Sequence, residues 1–143
     1  MGYADDYFAI IDEIINKLRT APELTDIKSV IFGEKERIGS VKFPCIFVLP
    51  ANDKIEVAAT NTQEHNYTVE VVIIQKKKDM EEGLREAIDL TGKCYDVILQ
   101  DRTLNNTCAD LIITDVEPDY QRADHFVLHW TMLRINIKKL RRG

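Results

Sequence analysis

The order in which the hydrophobic period changes along this chain constrains its fold more than any single motif. Tyr7, Phe8, Ile11, Ile14, Ile15 and Leu18 recur at three- and four-residue spacing, the mark of an amphipathic helix. Asp5 and Asp6 stand where a cap belongs, and Ala21-Pro22 ends the pattern because a residue before proline avoids helical angles. Several extended segments follow before helical spacing returns at Leu84, Ala87, Ile88, Thr91, Cys94, Tyr95, Ile98 and Leu99, with Asp79 and Glu82 as its capping pair. Extended segments then close the chain. Helices and strands do not alternate one for one, which excludes a doubly wound α/β fold. The expected fold is α+β: an antiparallel or mixed β-sheet with two helices packed on one face and a long protruding β-hairpin. The helix residues Ile14 and Ile88 are both expected in the core.

The strand readings carry specific expectations. Asp26 to Phe32 reads as a short strand closed by Gly33, and the charged stretch Gly33 to Gly39 as a loop. Phe43 to Leu49 reads as a buried strand bracketed by Pro44 and Pro50, its start unpaired or at a sheet edge because proline lacks a ladder donor. Lys54 to Ala59 and His65 to Gln75 read as two arms of a hairpin. Their link, Thr60 to Gln63, lacks the Asn-Gly signal of a tight turn, so a long, flexible tip is expected. In the second arm Tyr67, Val69, Val71 and Ile73 share one face. The opposite face, Thr68, Glu70, Val72 and Ile74, begins polar and turns apolar, as in a strand that starts beside solvent and ends covered on both sides. Asp101 to Asn106 reads as a turn-rich connection, Cys108 to Val116 as a strand and Glu117 to Asp124 as a polar loop around Pro118. In the last strand, His125 to Ile137, the apolar residues change phase after Met132, which predicts a β-bulge.

The chain has 143 residues, which fits a single domain over 1–143 with one core. Its net charge of −5 argues against non-specific nucleic-acid binding, which needs a positive field. The runs Lys76 to Lys78 and Lys138, Lys139, Arg141 and Arg142 read as solvated element ends. Three cysteines without a CxxC pair indicate neither a disulfide framework nor a zinc site; Cys45 and Cys94 read as small core side chains. The acidic start does not resemble a signal peptide, and no apolar run reaches the length of a membrane span, so synthesis and folding inside the cell are expected. The Asn66 and Asn105 glycosylation sequons are then accidental.

Motifs of chemistry are absent from the sequence: no Walker loop, GxGxxG, GxSxG or HExxH occurs. His125 and His129, on one strand face, would stand about 13 Å apart, too far to share a metal ion. Each histidine, His65 included, reads as a surface or interface residue. Asp115 and Glu117 share a strand face and form the one carboxylate pair that is not a helix start, a candidate for cation binding or acid–base work. Trp130 with Tyr67 and Phe126 is a candidate base-stacking platform. Neither set has supporting residues nearby in sequence, so no enzyme activity, cofactor or metal is expected.

The succession of elements resembles one known family, the tail terminator or head–tail joining proteins of long-tailed bacteriophages and related archaeal viruses. The residues that carry the resemblance are the leading helix and the proline-flanked Phe43 to Pro50. To these are added the hairpin ending Tyr67 to Ile74, the helix ending Tyr95 to Gln100 and the closing strand Phe126 to Ile137. The resemblance spans most of the chain and rests on order rather than on an invariant residue, so no site residue transfers. It implies a structural protein of the virion tail, made in the host cytoplasm, that forms a ring, usually a hexamer, on the last layer of the tail tube. The ring would stop tube growth and join tail to head. Its partners would be copies of itself, the tube protein and the head connector protein, with no specific nucleic-acid or membrane binding. Two alternatives stay open: another virion assembly component such as a connector or tube protein, and a small nucleic-acid-binding or enzymatic domain. The residues expected at the subunit interface are Ile55, Val57, Tyr67, Val69 and Glu70, all on the hairpin.

Overall fold

The structure is a computed structural model that describes residues 2–33 and 42–142; the expected loop from residue 34 to 39 lies outside them. Two helices, α1 (Tyr3–Thr20) and α2 (Met80–Leu99), lie on one face of a five-stranded mixed sheet. The strands are β1 (Ser29–Phe32), β2 (Cys45–Ala59), β3 (Thr62–Lys77), β4 (Asp110–Arg122) and β5 (Val127–Arg142), in spatial order β1-β2-β3-β5-β4. Only the β1–β2 pairing is parallel. The fold is therefore α+β, as the order of periods predicts.

Helix α1 starts earlier than expected. Gly2 is its cap, and the Asp5 carboxylate reaches back to accept from the Gly2 N–H at 3.2 Å. Asp6 does no capping. It is buried and holds Lys139 at 3.2 Å and Arg141 at 2.9 Å. Ile10, Ile11, Ile14, Ile15 and Leu18 face the sheet, whereas Phe8 lies outside the stripe, 52% exposed. Helix α2 is capped by Asp79, which accepts from the Glu82 N–H at 2.8 Å. Its buried face is Gly83, Ala87, Leu90, Thr91, Cys94, Val97 and Ile98. Ile88 is 62% exposed, which corrects the expectation that it lies in the core. Apolar residues occupy more than half of this helix's circumference, so spacing alone allowed two neighbouring faces.

Strand β2 corrects two expectations. Its first residue, Cys45, pairs with Ser29 of β1 and Ile74 of β3, so the strand begins inside the sheet. Pro44 sits just before the ladder, where a missing N–H costs nothing, and its carbonyl accepts from the Lys28 N–H at 2.8 Å. The hairpin link is short: Ala59 pairs with Thr62, and Asn61 takes the left-handed conformation (φ 63°) that asparagine tolerates. No long, flexible tip exists. β3 also pairs with β5 along its whole length, from Thr62↔Arg142 to Lys77↔Val127, so the hairpin extends the sheet. Among the described residues no strand pairs with the outer side of β2 beyond Val48, where β1 ends.

The chain Glu117–Arg122, expected as loop, is the second half of β4. β4 is the other edge of the sheet, and an edge strand accommodates Pro118. The expected bulge in β5 is absent: its register with β3 runs unbroken, and the register shifts lie in β2 and at Ile113/Asp115 of β4. The phase change in β5 has another cause. Val127, His129, Thr131, Leu133, Ile135 and Ile137 are buried on the helix side, while Leu128, Trp130 and Met132 are half-buried on the opposite side. There they adjoin a second apolar cluster around Cys45, Phe47 and Ile74. Apolar residues line both faces at that end of the sheet and only the helix face further along.

The connection after α2 is built on Asp101. Its carboxylate accepts from the Thr103 and Asn105 N–H groups and from Lys17 Nζ at 2.9 Å, and the Lys17 hydrogen bond is the first reason its pKa lies far below the usual carboxylate range. Leu104, Asn105 and Asn106 then turn in left-handed conformations, with Leu104 fully buried.

Candidate subunit interface

The five hairpin residues expected at an interface separate into three groups. Ile55 is 51% exposed and Val57 82% exposed. Their registers opposite His65 and Gln63 place them on the helix side of the sheet, past the start of α1. Tyr67 and Val69 are fully buried in the main core, which removes them from any contact between subunits. Strict alternation marks a half-buried edge and a central strand alike, so sequence could not tell which β3 was. Glu70 is half-buried and joined to Arg134 at 3.5 Å.

Beside Ile55 lies a buried polar cluster that sequence reading missed. His65, expected at a surface or interface, is 2% exposed, and its Nδ1 is 2.7 Å from Oδ2 of Asp53, whose side chain is 6% exposed. His65 Nε2 is 3.3 Å from Gln63 Oε1. The His65 ring stacks on Tyr67, and Tyr3 covers both. Burial first, then the nearby Asp53 carboxylate, pushes the Tyr3 and Tyr67 hydroxyls up to about 12. The Tyr7 hydroxyl donates to the Thr68 carbonyl at 2.9 Å. The cluster fastens the first turns of α1 to β2, β3 and β5. The two-residue turn sets the register that brings Asp53 to His65, and a longer tip would have placed other residues opposite.

The remaining chemical candidates turn out to be structural. Arg134 joins Glu70, Asp115 at 3.0 Å and Glu117 at 3.6 Å, so the carboxylate pair is held in an ion-pair network. The Arg134 hydrogen bond is the first cause that lowers the Asp115 pKa. Trp130 lies on the open face of the sheet and Tyr67 on the helix face, so they form no platform. His129, expected at the surface, is fully buried under α2, where burial lowers its pKa. A Cβ on Gly83 would collide with its ring, so only glycine fits there. Burial raises the Cys45 and Cys108 thiols to about 11 and Cys94 to about 12, which leaves them unreactive. Among the described residues no His, Cys, Asp or Glu side chains converge as a metal site, and no helix is long and apolar enough to cross a membrane.

Four of the basic residues in the two runs meet acids, and one lies on aromatic rings. Lys77 meets Glu86 at 3.3 Å, Lys138 meets Glu64 at 2.9 Å, and Lys139 and Arg141 meet Asp6. Lys76 lies 4.1 Å from the Phe126 ring centroid.

Two apolar surfaces stay open. A groove of about 210 Å³ runs between α2 and β4, walled by Ile88, Tyr95, Val116 and Pro118, with Thr131 in its floor. A wider cavity of about 620 Å³ lies on the opposite face of the sheet over Val72, Trp130 and Met132, rimmed by Glu117 and Asp119. No family model matches the sequence, and no curated protein shows significant similarity to it.

Proposed function

We propose that this chain is a viral structural subunit that closes with copies of itself into a ring at the end of a tail tube. There it stops tube growth and joins the tail to the head. It works through shape, without catalysis, cofactor or specific nucleic-acid contact, and its place is the virion tail. The ring would be a hexamer, the number implied by the resemblance in element order.

The observation that carries this reading is the uncovered far part of β2. Among the described residues no strand pairs with Pro50 to Ala59 on the outer side, and the two large apolar residues there, Ile55 and Val57, stand exposed. A strand with an open edge and bare apolar side chains is a site for association. Repeated by rotation, a contact between unlike surfaces closes into a ring. The engagement of Asp6, Asp53, His65, Asp115 and Arg134 in internal contacts supports a structural role over a chemical one.

The test is the mass of the purified protein by light scattering, with negative-stain images, alone and with purified tail tubes. Rings that form with rising concentration, or caps on tube ends, are expected. A protein that stays monomeric and leaves tubes uncapped refutes the reading.

A further inference from the structure

We propose that the groove between α2 and β4 is the seat for the far arm of β2 from a second copy, with Ile55 and Val57 as the inserted side chains. This rests on the ring reading and names the surfaces that meet.

The groove and the arm match in chemistry. Its lining, Ile88, Thr91, Gly92, Tyr95, Val116, Pro118 and Thr131, contains no charged residue. The arm brings two β-branched apolar side chains on one face, while Lys54 and Glu56 on its other face pair with each other at 3.6 Å. Contact therefore strips no isolated charge of water. A basic or acidic peptide would find no counter-charge among these walls.

They also match in dimension. Side chains two apart on a strand are separated by about 7 Å. Ile88 and Tyr95, seven residues apart on α2, stand about 10 Å apart along the helix axis. The two lengths are of the same order. Thr131 closes the floor and is only 2% exposed. An extended arm that presents apolar side chains on one face suits these apolar walls.

The occupant must be another molecule. β2 and β4 are separated by β3 and β5, three strand spacings or about 14 Å. Arm and groove lie on the same side of the sheet near opposite edges, the arrangement of a head-to-tail contact. The side chains involved bury roughly a few hundred Å², well below the 1,200 Å² or so of a stable pair. Two free copies therefore separate, and the contact persists only when repeated around a closed ring or on a tube end.

The experiment uses the full chain with Val57→Cys and Ile88→Cys together, oxidised in solution and on tube ends, beside each single variant. The double variant should give a ladder of covalent multimers that ends at the ring; single variants should give no species beyond a dimer. Separately, Ile88→Lys should melt like the unaltered protein yet lose about tenfold or more of its assembled fraction, the effect of burying one unpaired charge. Rings that form in normal yield with Ile88→Lys, or without the 57–88 cross-link, overturn the groove and leave the ring reading intact. If the unaltered protein forms neither rings nor caps, the ring reading falls and this inference falls with it.

Discussion

The two ends of the sheet are built to different standards. Where β2 leaves Pro44 and β3 approaches α2, side chains are packed on both faces. Ile46, Val71 and Ile73 lie under the helices, and Cys45, Phe47 and Ile74 are buried on the other side. Where β2 meets β3 at Thr60-Asn61, one face is polar and the other is covered only as far as Tyr3 reaches. Beyond that point Ile55 and Val57 are bare. Stability is concentrated at the first end, and the second leaves Ile55 and Val57 uncovered.

The comparison breaks most visibly with Phe47→Ala and Ile14→Ala. Phe47 is 1% exposed and Ile14 fully buried. Truncation removes transferred apolar surface and leaves a cavity, so about 3–5 kcal/mol is expected for Phe47 and about 2–5 for Ile14. Urea unfolding followed by Trp130 fluorescence checks both. A loss below 1 kcal/mol or so for Phe47 would mean that the second cluster is not a core.

Gly83→Ala comes next. Its methyl would enter the His129 ring, and overpacking of this kind costs about 1–3 kcal/mol despite alanine's better helix propensity. Combining it with His129→Ala should cost less than the sum of the single changes. Additive losses would show that Gly83 and His129 do not touch.

His129 also gives this end a pH dependence. Its pKa is depressed by burial, so the unfolded chain takes up a proton at a higher pH than the folded one. The stability it contributes is fully present above pH about 6.5 and falls as pH drops toward the folded value, by at most about 1.4 kcal/mol per unit. His129→Gln should flatten that part of the stability curve. An unchanged slope would assign the dependence to another group.

Much of this was legible in the sequence. Both helices, the hairpin and the two characters of β3 follow from spacing, because an apolar stripe needs a surface to cover it. The reading failed where one signal had two causes. The phase change after Met132 fits a bulge, but also a straight strand whose covered face changes, and the structure has the second. Pro118 reads as a loop unless the strand is known to be an edge. Of the five residues expected at an interface, Ile55 and Val57, marked by the thin apolar face of their arm, are exposed. Tyr67 and Val69 were misplaced because alternation does not reveal how many neighbours a strand has. Spacing hides the groove twice: it puts Ile88 and Tyr95 in the same apolar stripe as the buried residues, and Pro118 reads as loop.

The smallest effect sharpens the comparison most. Val57→Ser and Ile88→Ala remove apolar atoms that are already 82% and 62% exposed. Little surface is returned to water, so each should change unfolding free energy by no more than about 0.5 kcal/mol. Valine favours strands, and that preference alone accounts for a few tenths at an edge. Alanine favours helices, so Ile88→Ala should be neutral or slightly stabilising. Urea midpoints with unchanged slopes would establish both. Set beside Phe47 and Ile14, such silence means that the fold does not hold these side chains in place for its own stability. A loss above 1 kcal/mol or so at Val57 would instead make the far arm part of the folding unit, and its bare residues would need no partner to explain them.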